Sequence, residues 1–362
     1  MQIYIDGLFY KASGIGRYFE SLTKELGRKS VKIFTAVPEV YRHCFKTDFG
    51  DSRFISPTFV KYKKFSIRSF FLQSIIVSNL EKKCDLFLFP HINVPLYVPK
   101  NTCVTVHDVS VLTPFWPYGK IARQVFKIAF LRALTKAKRI ICVSNTTRND
   151  LLKFYPWIET KVIVINEFVD QKFFETRPTI PLLDKPYVLW VGNWMKHKNF
   201  GLLLKSFSIV KESVPHSLVL VTSKKERPRS LSRLATEYFN NGRIIHFQNP
   251  DDEKLINLYR FADLFVFPSF YEGFGLPPLE AIASGCPVVV SNIPVFREIL
   301  GTAGQYFDPS SPDDLSQLLI RLLTDRNERK SLYEKQKFVL QRYDKEKILS
   351  QYLALFAEAS GS

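Results

Sequence analysis

Hydrophobic residues fall along this chain in short unbroken runs, separated by stretches where they return every three or four positions. The short runs read as strands buried on both faces of a parallel sheet, and the periodic stretches as helices packed on one side. Candidate strands in the first half are Gln2 to Asp6, Val31 to Ala36, Asp85 to Pro90, Thr102 to His107, Arg139 to Val143 and Lys161 to Ile165. A second series covers Tyr187 to Val191, Ser217 to Thr222, Arg243 to Phe247, Asp263 to Phe267, Pro287 to Ser291 and Gly304 to Phe307. Strand and helix alternate throughout, which predicts an α/β protein with one Rossmann-like sheet per series. After Asp170 the chain takes on loop character, with Pro178, Pro181 and Pro186 closely spaced. The expected division is therefore 1–170, 171–340 and a terminal segment 341–362, the tail from roughly Asp325 to Glu358 being charged and helical.

The most informative stretch is YEGFGLPPLEAIASGCPVVVS, residues 271–291. Pro277 and Pro278 suit the first turn of a helix, and Ser284-Gly285 followed by Pro287 closes it with a left-handed cap. The loop Glu272 to Leu276, with Gly273 and Gly275, then leaves the C-terminal end of the strand Asp263 to Phe267, where open α/β sheets bind ligands. Backbone N–H groups at such a helix start favour a phosphate. Carboxylates repel phosphate but accept hydrogen bonds from sugar hydroxyls. Glu272 and Glu280 beside a phosphate site thus point to a nucleotide sugar, with Glu272 on the transferred sugar and Glu280 on the ribose.

At these residues the chain resembles the retaining glycosyltransferases of the GT-B fold, family 4: a Glu, seven residues, a second Glu, with F-G-L-P-P between. The resemblance implies two Rossmann-like domains with parallel sheets facing across a cleft and a last helix crossing back to the first domain. It also implies that the backbone of Phe274, Gly275 and Leu276 meets donor hydroxyls and phosphate. In similar enzymes a glycine-rich loop after the first strand lies against the donor phosphates. Gly14 and Gly16 stand there, ahead of an apolar-periodic stretch, and Gly16 is the chosen residue, with Arg17 behind it. His107 matches the family's histidine at the end of the fourth strand and is placed beside the transferred sugar. Asp108 either orients that ring or caps the following turn.

The first strand of the second series runs into VGNWMKHKN. Lys198 matches the family's phosphate-binding lysine and can act as a point charge on a diphosphate. Asn193 stands where an arginine is usual, leaving Lys196 as the candidate replacement, and this G-N…H-K-N variant resembles a branch rich in GDP-mannose users. Glu167 and Phe168, in VINEFVD, replace the Asn and Gly of the family's P-N-G-V-D, which puts the hinge geometry in question. Asp251 and Asp252 read as helix caps.

Charge adds a second theme. The net charge of +17 implies an anionic partner. Much of it lies in Lys61 to Phe71 and in Lys120 to Arg139, where Arg123, Lys127, Lys136 and Arg139 interleave with Ile121, Val125, Phe126, Phe130 and Leu134. A basic amphipathic helix rests on an anionic membrane surface or packs its apolar side on its own sheet; for Lys120 to Arg139 the second reading leads, and for Lys61 to Phe71 the two stand level. No nucleic-acid motif accompanies the charge, so no nucleic acid is expected. No apolar stretch reaches about 18 residues and the N-terminus lacks signal-peptide order, so the expected location is cytoplasmic, including the inner face of a membrane. The five cysteines are scattered and read as reduced core residues. No D-x-D occurs, so no metal or other cofactor is expected.

The sequence therefore reads as a retaining hexosyltransferase. The nucleotide-sugar donor, GDP-mannose ahead of UDP-sugars, gives its hexose to a hydroxyl of a glycan or lipid-linked acceptor in surface polysaccharide or glycolipid synthesis. His107, Glu272 and Lys198 are the catalytic candidates. Donor-binding candidates are Gly16, Asn193, Lys198, Gly273, Phe274, Gly275, Leu276 and Glu280. The rival readings are a nucleotide-sugar epimerase of the same fold and a catalytically degenerate partner subunit.

Overall fold

The computed structural model describes residues 1–50, 52–116, 118–175, 180–223 and 242–361, so Pro178 of the expected linker lies outside the described residues. The chain divides into two compact units, Met1–Glu167 with Lys345–Ser362, and Phe168–Asp344.

Unit 1 holds a seven-stranded sheet built from β1 (Gln2–Asp6), β2 (Lys32–Pro38), β3 (Ile55–Val60), β4 (Leu86–Phe89), β5 (Thr102–Val106), β6 (Arg139–Cys142) and β7 (Val162–Val164). Every pair is parallel, in the order β3-β2-β1-β4-β5-β6-β7. Six of the seven strands coincide with the expected runs. The sequence reading omits β3 because ISPTFV is an edge strand, half exposed and carrying Pro57, so it lacks the continuous apolar run of a central strand. The helices placed in this unit are α1 (Ser13–Arg28), α2 (Arg42–Phe49), α3 (Ile67–Leu80), α4 (Lys120–Lys136) and α5 (Asn145–Phe154). Ser66 and Ser69 form a reciprocal capping box at the start of α3. Helix α4 follows the favoured reading in its C-terminal half and departs from it in its N-terminal half. Phe130 and Leu134 are buried against the sheet, whereas Ile121 and Val125 are exposed.

The C-terminal helix Lys345–Ser360 belongs to unit 1. The Tyr352 and Tyr18 hydroxyls are 2.8 Å apart, and Lys345 and Glu346 pair with Glu25 and Lys29 of α1 at 3.3 and 2.6 Å.

Unit 2 holds a six-stranded parallel sheet, β8 (Tyr187–Gly192), β9 (Ser217–Thr222), β10 (Ile244–Gln248), β11 (Leu264–Phe267), β12 (Val288–Ser291) and β13 (Gln305–Phe307), in the order β10-β9-β8-β11-β12-β13. All six answer to expected runs. Trp190, Phe207, Leu220 and Leu319 sit in its core, between the sheet and helices that include α6 (Phe200–Val210) and Pro312–Thr324.

Both sheets reverse their winding direction once, between β1 and β4 in unit 1 and between β8 and β11 in unit 2. Chain leaving the C-terminal ends of those strands splays apart and leaves a crevice, the usual ligand position in such sheets. All five cysteines are free. Cys84, Cys103, Cys142 and Cys286 are buried, but Cys44 is exposed on the short helix α2, whose amphipathic pattern turns it to solvent.

Candidate functional site

In unit 2 the two loops at the reversal point carry the candidates. The loop after β11 runs from Pro268 to Gly275 and enters the helix Leu276–Ala283. Gly275 has φ +123°, and a Cβ there would lie 2.7 Å from Phe296 Cε1, so both backbone conformation and space demand glycine. No side chain caps the helix start. Pro277 and Pro278 carry no N–H, so of the four donors a helix ordinarily leaves unpaired at its start, only those of Gly275 and Leu276 exist here. The helix ends as its sequence predicts. Gly285 is left-handed at φ +95°, and its N–H and that of Cys286 reach the Ile282 and Ala281 carbonyls at 3.0 and 2.9 Å. Gly273 and Phe274 are buried, the Phe274 ring resting edge-on against Tyr343 with centroids 5.5 Å apart.

β8 ends at Gly192 and the chain makes an Asx turn, in which Asn193 Oδ1 accepts from the Met195 N–H at 3.0 Å. A short 3₁₀ turn, Lys196–Lys198, follows, and Asn199 in the left-handed region leads into α6. The Phe270 N–H donates to the His197 carbonyl at 2.7 Å, tying this loop to the one after β11. Across that tie, Lys198 Nζ donates to Glu272 Oε1 at 2.6 Å, and Ser269 Oγ donates to the same oxygen at 2.6 Å. Both charged side chains are largely shielded, with 15% and 13% exposure. Lys196 points to solvent. Glu280, in the second turn of the helix, is buried and accepts from the Tyr259 hydroxyl at 3.1 Å.

In unit 1, Gly14 and Gly16 lie inside the first turn of α1, not before it. A Cβ on Gly16 would run into the Phe9 carbonyl oxygen, so glycine lets the helix sit on the turn that follows β1. The Gly16 N–H is used by the Ala12 carbonyl at 3.2 Å. Arg17 is half-buried in the same turn.

His107 leaves the end of β5 with both ring nitrogens bonded. Nε2 faces the Pro90 carbonyl at 3.0 Å, and Nδ1 faces Glu167 Oε1 at 2.8 Å. A carbonyl only accepts, so the bond to Pro90 needs a hydrogen on Nε2, while the Glu167 carboxyl fixes the opposite edge of the ring. The Tyr18 ring meets the imidazole edge-on at 4.8 Å. Asp108 plays no part in this, since its Oδ1 accepts from the Ser110 N–H at 2.7 Å and caps the turn. The partner that orients His107 is Glu167, which the sequence reading noted only as a departure at the hinge. Asp251 is the helix cap expected of it, but Asp252 is paired with Lys172 at 2.7 Å.

Three further residues line the strand ends of unit 1 without having been singled out by sequence. Lys64 Nζ lies over the Phe9 ring at 4.1 Å. His91 packs against Phe9, and burial takes its imidazole down to about 3. Asp6 ends β1 and takes hydrogen bonds from Gln73 and from the Tyr4 hydroxyl; burial raises its carboxyl to about 7. His91, in FPHINVP, had the same signal as His107, a histidine just past a buried strand. Asp6 had the same placement after β1. Among the described residues, no group of three or more His, Cys, Asp or Glu is arranged to hold a metal ion.

Family models match both halves of the chain: glycosyltransferase family 4 over residues 12–173 and glycosyl transferases group 1 over 172–338. This chain belongs to glycosyltransferase family 4. Two curated relatives are O-antigen chain mannosyltransferases. The one from Salmonella typhimurium is 29% identical over 219 residues, 60% of this chain and 59% of its own. The one from Escherichia coli is 29% identical over 242 residues, 63% of this chain and 64% of its own. The family 4 chain thus spans less than two thirds of the length of these relatives. Among solved structures, sucrose-phosphate synthase from Thermosynechococcus elongatus superposes with a TM-score of 0.80 at 18% identity, covering 99% of this chain and 98% of that one. An Anabaena protein in complex with UDP-glucose gives 0.76 at 14% identity, covering 99% and 100%. At these identities the likeness concerns the fold, which is GT-B.

Proposed function

We propose that the chain is a retaining hexosyltransferase that moves mannose from GDP-mannose to a hydroxyl of a glycan or lipid-linked acceptor, at the inner face of a membrane and without a metal ion. The observation that carries this reading is the Lys198–Glu272–Ser269 cluster beside the Gly275–Leu276 helix start. It sets a cation, a hydroxyl acceptor and two backbone donors on the two loops of one reversal point. The mannosyltransferase relatives support the sugar, and the Asn193 variant of the phosphate loop supports the base.

In this reading the donor diphosphate draws Lys198 from Glu272, and the freed carboxylate oxygen accepts from a hydroxyl of the sugar. The bond between the anomeric carbon and the diphosphate oxygen breaks with its electron pair leaving on the diphosphate. The acceptor oxygen bonds to that carbon from the same face, and its proton passes to the departing diphosphate. Lys198 and the Gly275 and Leu276 N–H groups stabilise the negative charge that develops. Glu280, fixed by Tyr259, holds the ribose. His107, fixed by Glu167, serves the transferred sugar.

Thermal shift with GDP-mannose, UDP-glucose, UDP-N-acetylglucosamine, UDP-galactose and the bare nucleotides, each with EDTA and with Mg²⁺, tests the donor side. A ligand that binds the native state raises the melting temperature. GDP-mannose and GDP are expected to shift the wild type with EDTA present and to lose that effect in Glu280→Ala. A shift from uridine nucleotides alone moves the assignment to a UDP-sugar. No shift from any nucleotide favours the degenerate subunit. Product NMR reads the anomeric configuration, and inversion would sink the retaining assignment.

A further inference from the structure

Helices α3 and α4 of unit 1 expose the wrong residues for surface helices. On α3, Ile67, Phe71 and Ile75 stand in one row, with Ile67 81% exposed. On α4, Ile121, Val125 and Ile128 form a second row, Ile121 being 84% and Ile128 68% exposed. These side chains do not hold the helices in place. That task falls to Ser69, Gln73 and Val77 on α3 and to Phe130, Ala133 and Leu134 on α4, all buried.

The two rows belong to one surface. The Arg132 guanidinium of α4 lies over the Phe70 ring of α3 at 4.9 Å and donates to the Pro95 carbonyl at 2.7 Å. The Phe65 and Phe126 rings meet at 4.8 Å. Between the helices, the loop that Arg132 holds adds the exposed Leu96 and Tyr97. Neither helix contains an Asp or a Glu, and among the described residues Lys63, Arg68, Lys120 and Lys127 stand in no ion pair. A contiguous apolar patch rimmed by unpaired cations marks an interaction surface.

We propose that the α3–α4 face docks on the anionic surface of a lipid bilayer. Aliphatic rows need an apolar medium and the cations need anions, and a bilayer interface with acidic headgroups offers both within one side-chain length. A second copy of the chain fits less well, because a twofold contact would set this strongly basic patch against itself, with the Glu81 carboxylate at its edge already taken by the Tyr97 hydroxyl. Nucleic acid would meet the cations and stack on Phe71 and Tyr97, but leave Ile67, Ile121 and Ile128, all more exposed than those rings, without an apolar partner. Among the described residues no helix is long and apolar enough to cross a membrane. The inference deepens the reading of a membrane-borne acceptor by naming the surface that approaches it.

The test is cosedimentation of the full chain with phosphatidylcholine vesicles, with and without phosphatidylglycerol. Wild type, Ile121→Ser with Ile128→Ser, and Lys120→Gln with Lys127→Gln are compared. Lys120, Ile121 and Ile128 are exposed and Lys127 is half-buried, and each protein is checked for an unchanged melting temperature and nucleotide shift. Wild type is expected to prefer phosphatidylglycerol vesicles by more than about tenfold and to release in high salt, and each double variant to bind about tenfold more weakly. Wild type ignoring both vesicle types, or variants binding as wild type does, overturns the proposal. Self-association seen by light scattering and lost in the isoleucine variant gives the face to a second copy instead. Vesicle binding that survives while no nucleotide shifts the protein rejects the transferase reading and leaves this one standing.

Discussion

The two units present their candidate residues in opposite ways. In unit 2 the residues named by two motifs bond to one another or to neighbours in the fold, Lys198 and Ser269 meeting on a single oxygen of Glu272. In unit 1 the candidate His107 is bonded to Glu167 and the Pro90 carbonyl, neither of which any motif singled out. Yet both pairs join residues far apart in the chain, by 74 positions for Lys198 and Glu272 and by 60 for His107 and Glu167. Sequence separation is therefore not what hides a partner. A pair is legible when both members sit in stretches whose chemistry can be argued locally, as VGNWMKHKN and YEGFGLPPLE can. Glu167 sits in a loop where an acid has no local task.

The contrast is broken most severely by Lys198→Ala. If the lysine stabilises a leaving diphosphate, transfer is expected to fall roughly 100- to 1,000-fold, measured as kcat/KM with a saturating acceptor. A fall confined to KM would reduce the residue to ground-state binding.

Asp6 in unit 1 supplies a stability counterpart. Its carboxyl titrates near 7 when folded, above the usual value near 4 in an unfolded chain. Its contribution to stability is thus fully present below about pH 4 and is lost as pH rises through about 7. Asp6→Asn is expected to gain on wild type over that window by about 2–3 kcal/mol, read from urea unfolding at pH 5 and pH 8. A difference that does not change with pH would show that Gln73 and Tyr4 hold the ionised form without penalty.

Gly275→Ala asks whether the donor loop tolerates any change of backbone. With φ +123° and Phe296 in the way, a loss of about 2 kcal/mol in unfolding free energy is expected, with a weaker nucleotide shift. Wild-type behaviour on both counts would show that the loop adapts.

The smallest effect is expected from Glu167→Gln, which keeps the shape but not the charge beside His107. Transfer should fall roughly tenfold while the GDP shift stays as in wild type, since the nucleotide is assigned to unit 2. A similar loss in Glu167→Asp, which keeps the charge but shortens the reach, would point to position as the requirement, and equal activity in both would remove Glu167 from the site.

Much of the fold could be read directly. Twelve of the thirteen strands follow from apolar runs, because strands covered on both faces must be apolar almost throughout. The exception, β3, is an edge strand whose sequence is mixed, with Ser56, Pro57 and Thr58 at its centre and little of it buried. The helix start at Leu276 and its end at Gly285 were also legible, since proline and glycine act through the backbone of their own neighbourhood. Helix α4 was legible only in part, because amphipathic spacing identifies an apolar side but not what covers it. Ile121 and Phe130 look alike in the sequence, and only packing separates the exposed residue from the buried one.

The sequence by itself determined the parallel α/β class, the two sheets, the glycine–proline punctuation of the Glu272–Glu280 stretch and the excess of positive charge. Each is set by local backbone preference or by composition. Tertiary structure alone decided which oxygen receives Lys198, that Glu167 and not Asp108 holds His107, and which isoleucines face solvent. Those outcomes depend on hydrogen-bond geometry and burial, which exist only once strands far apart in the chain have been brought side by side.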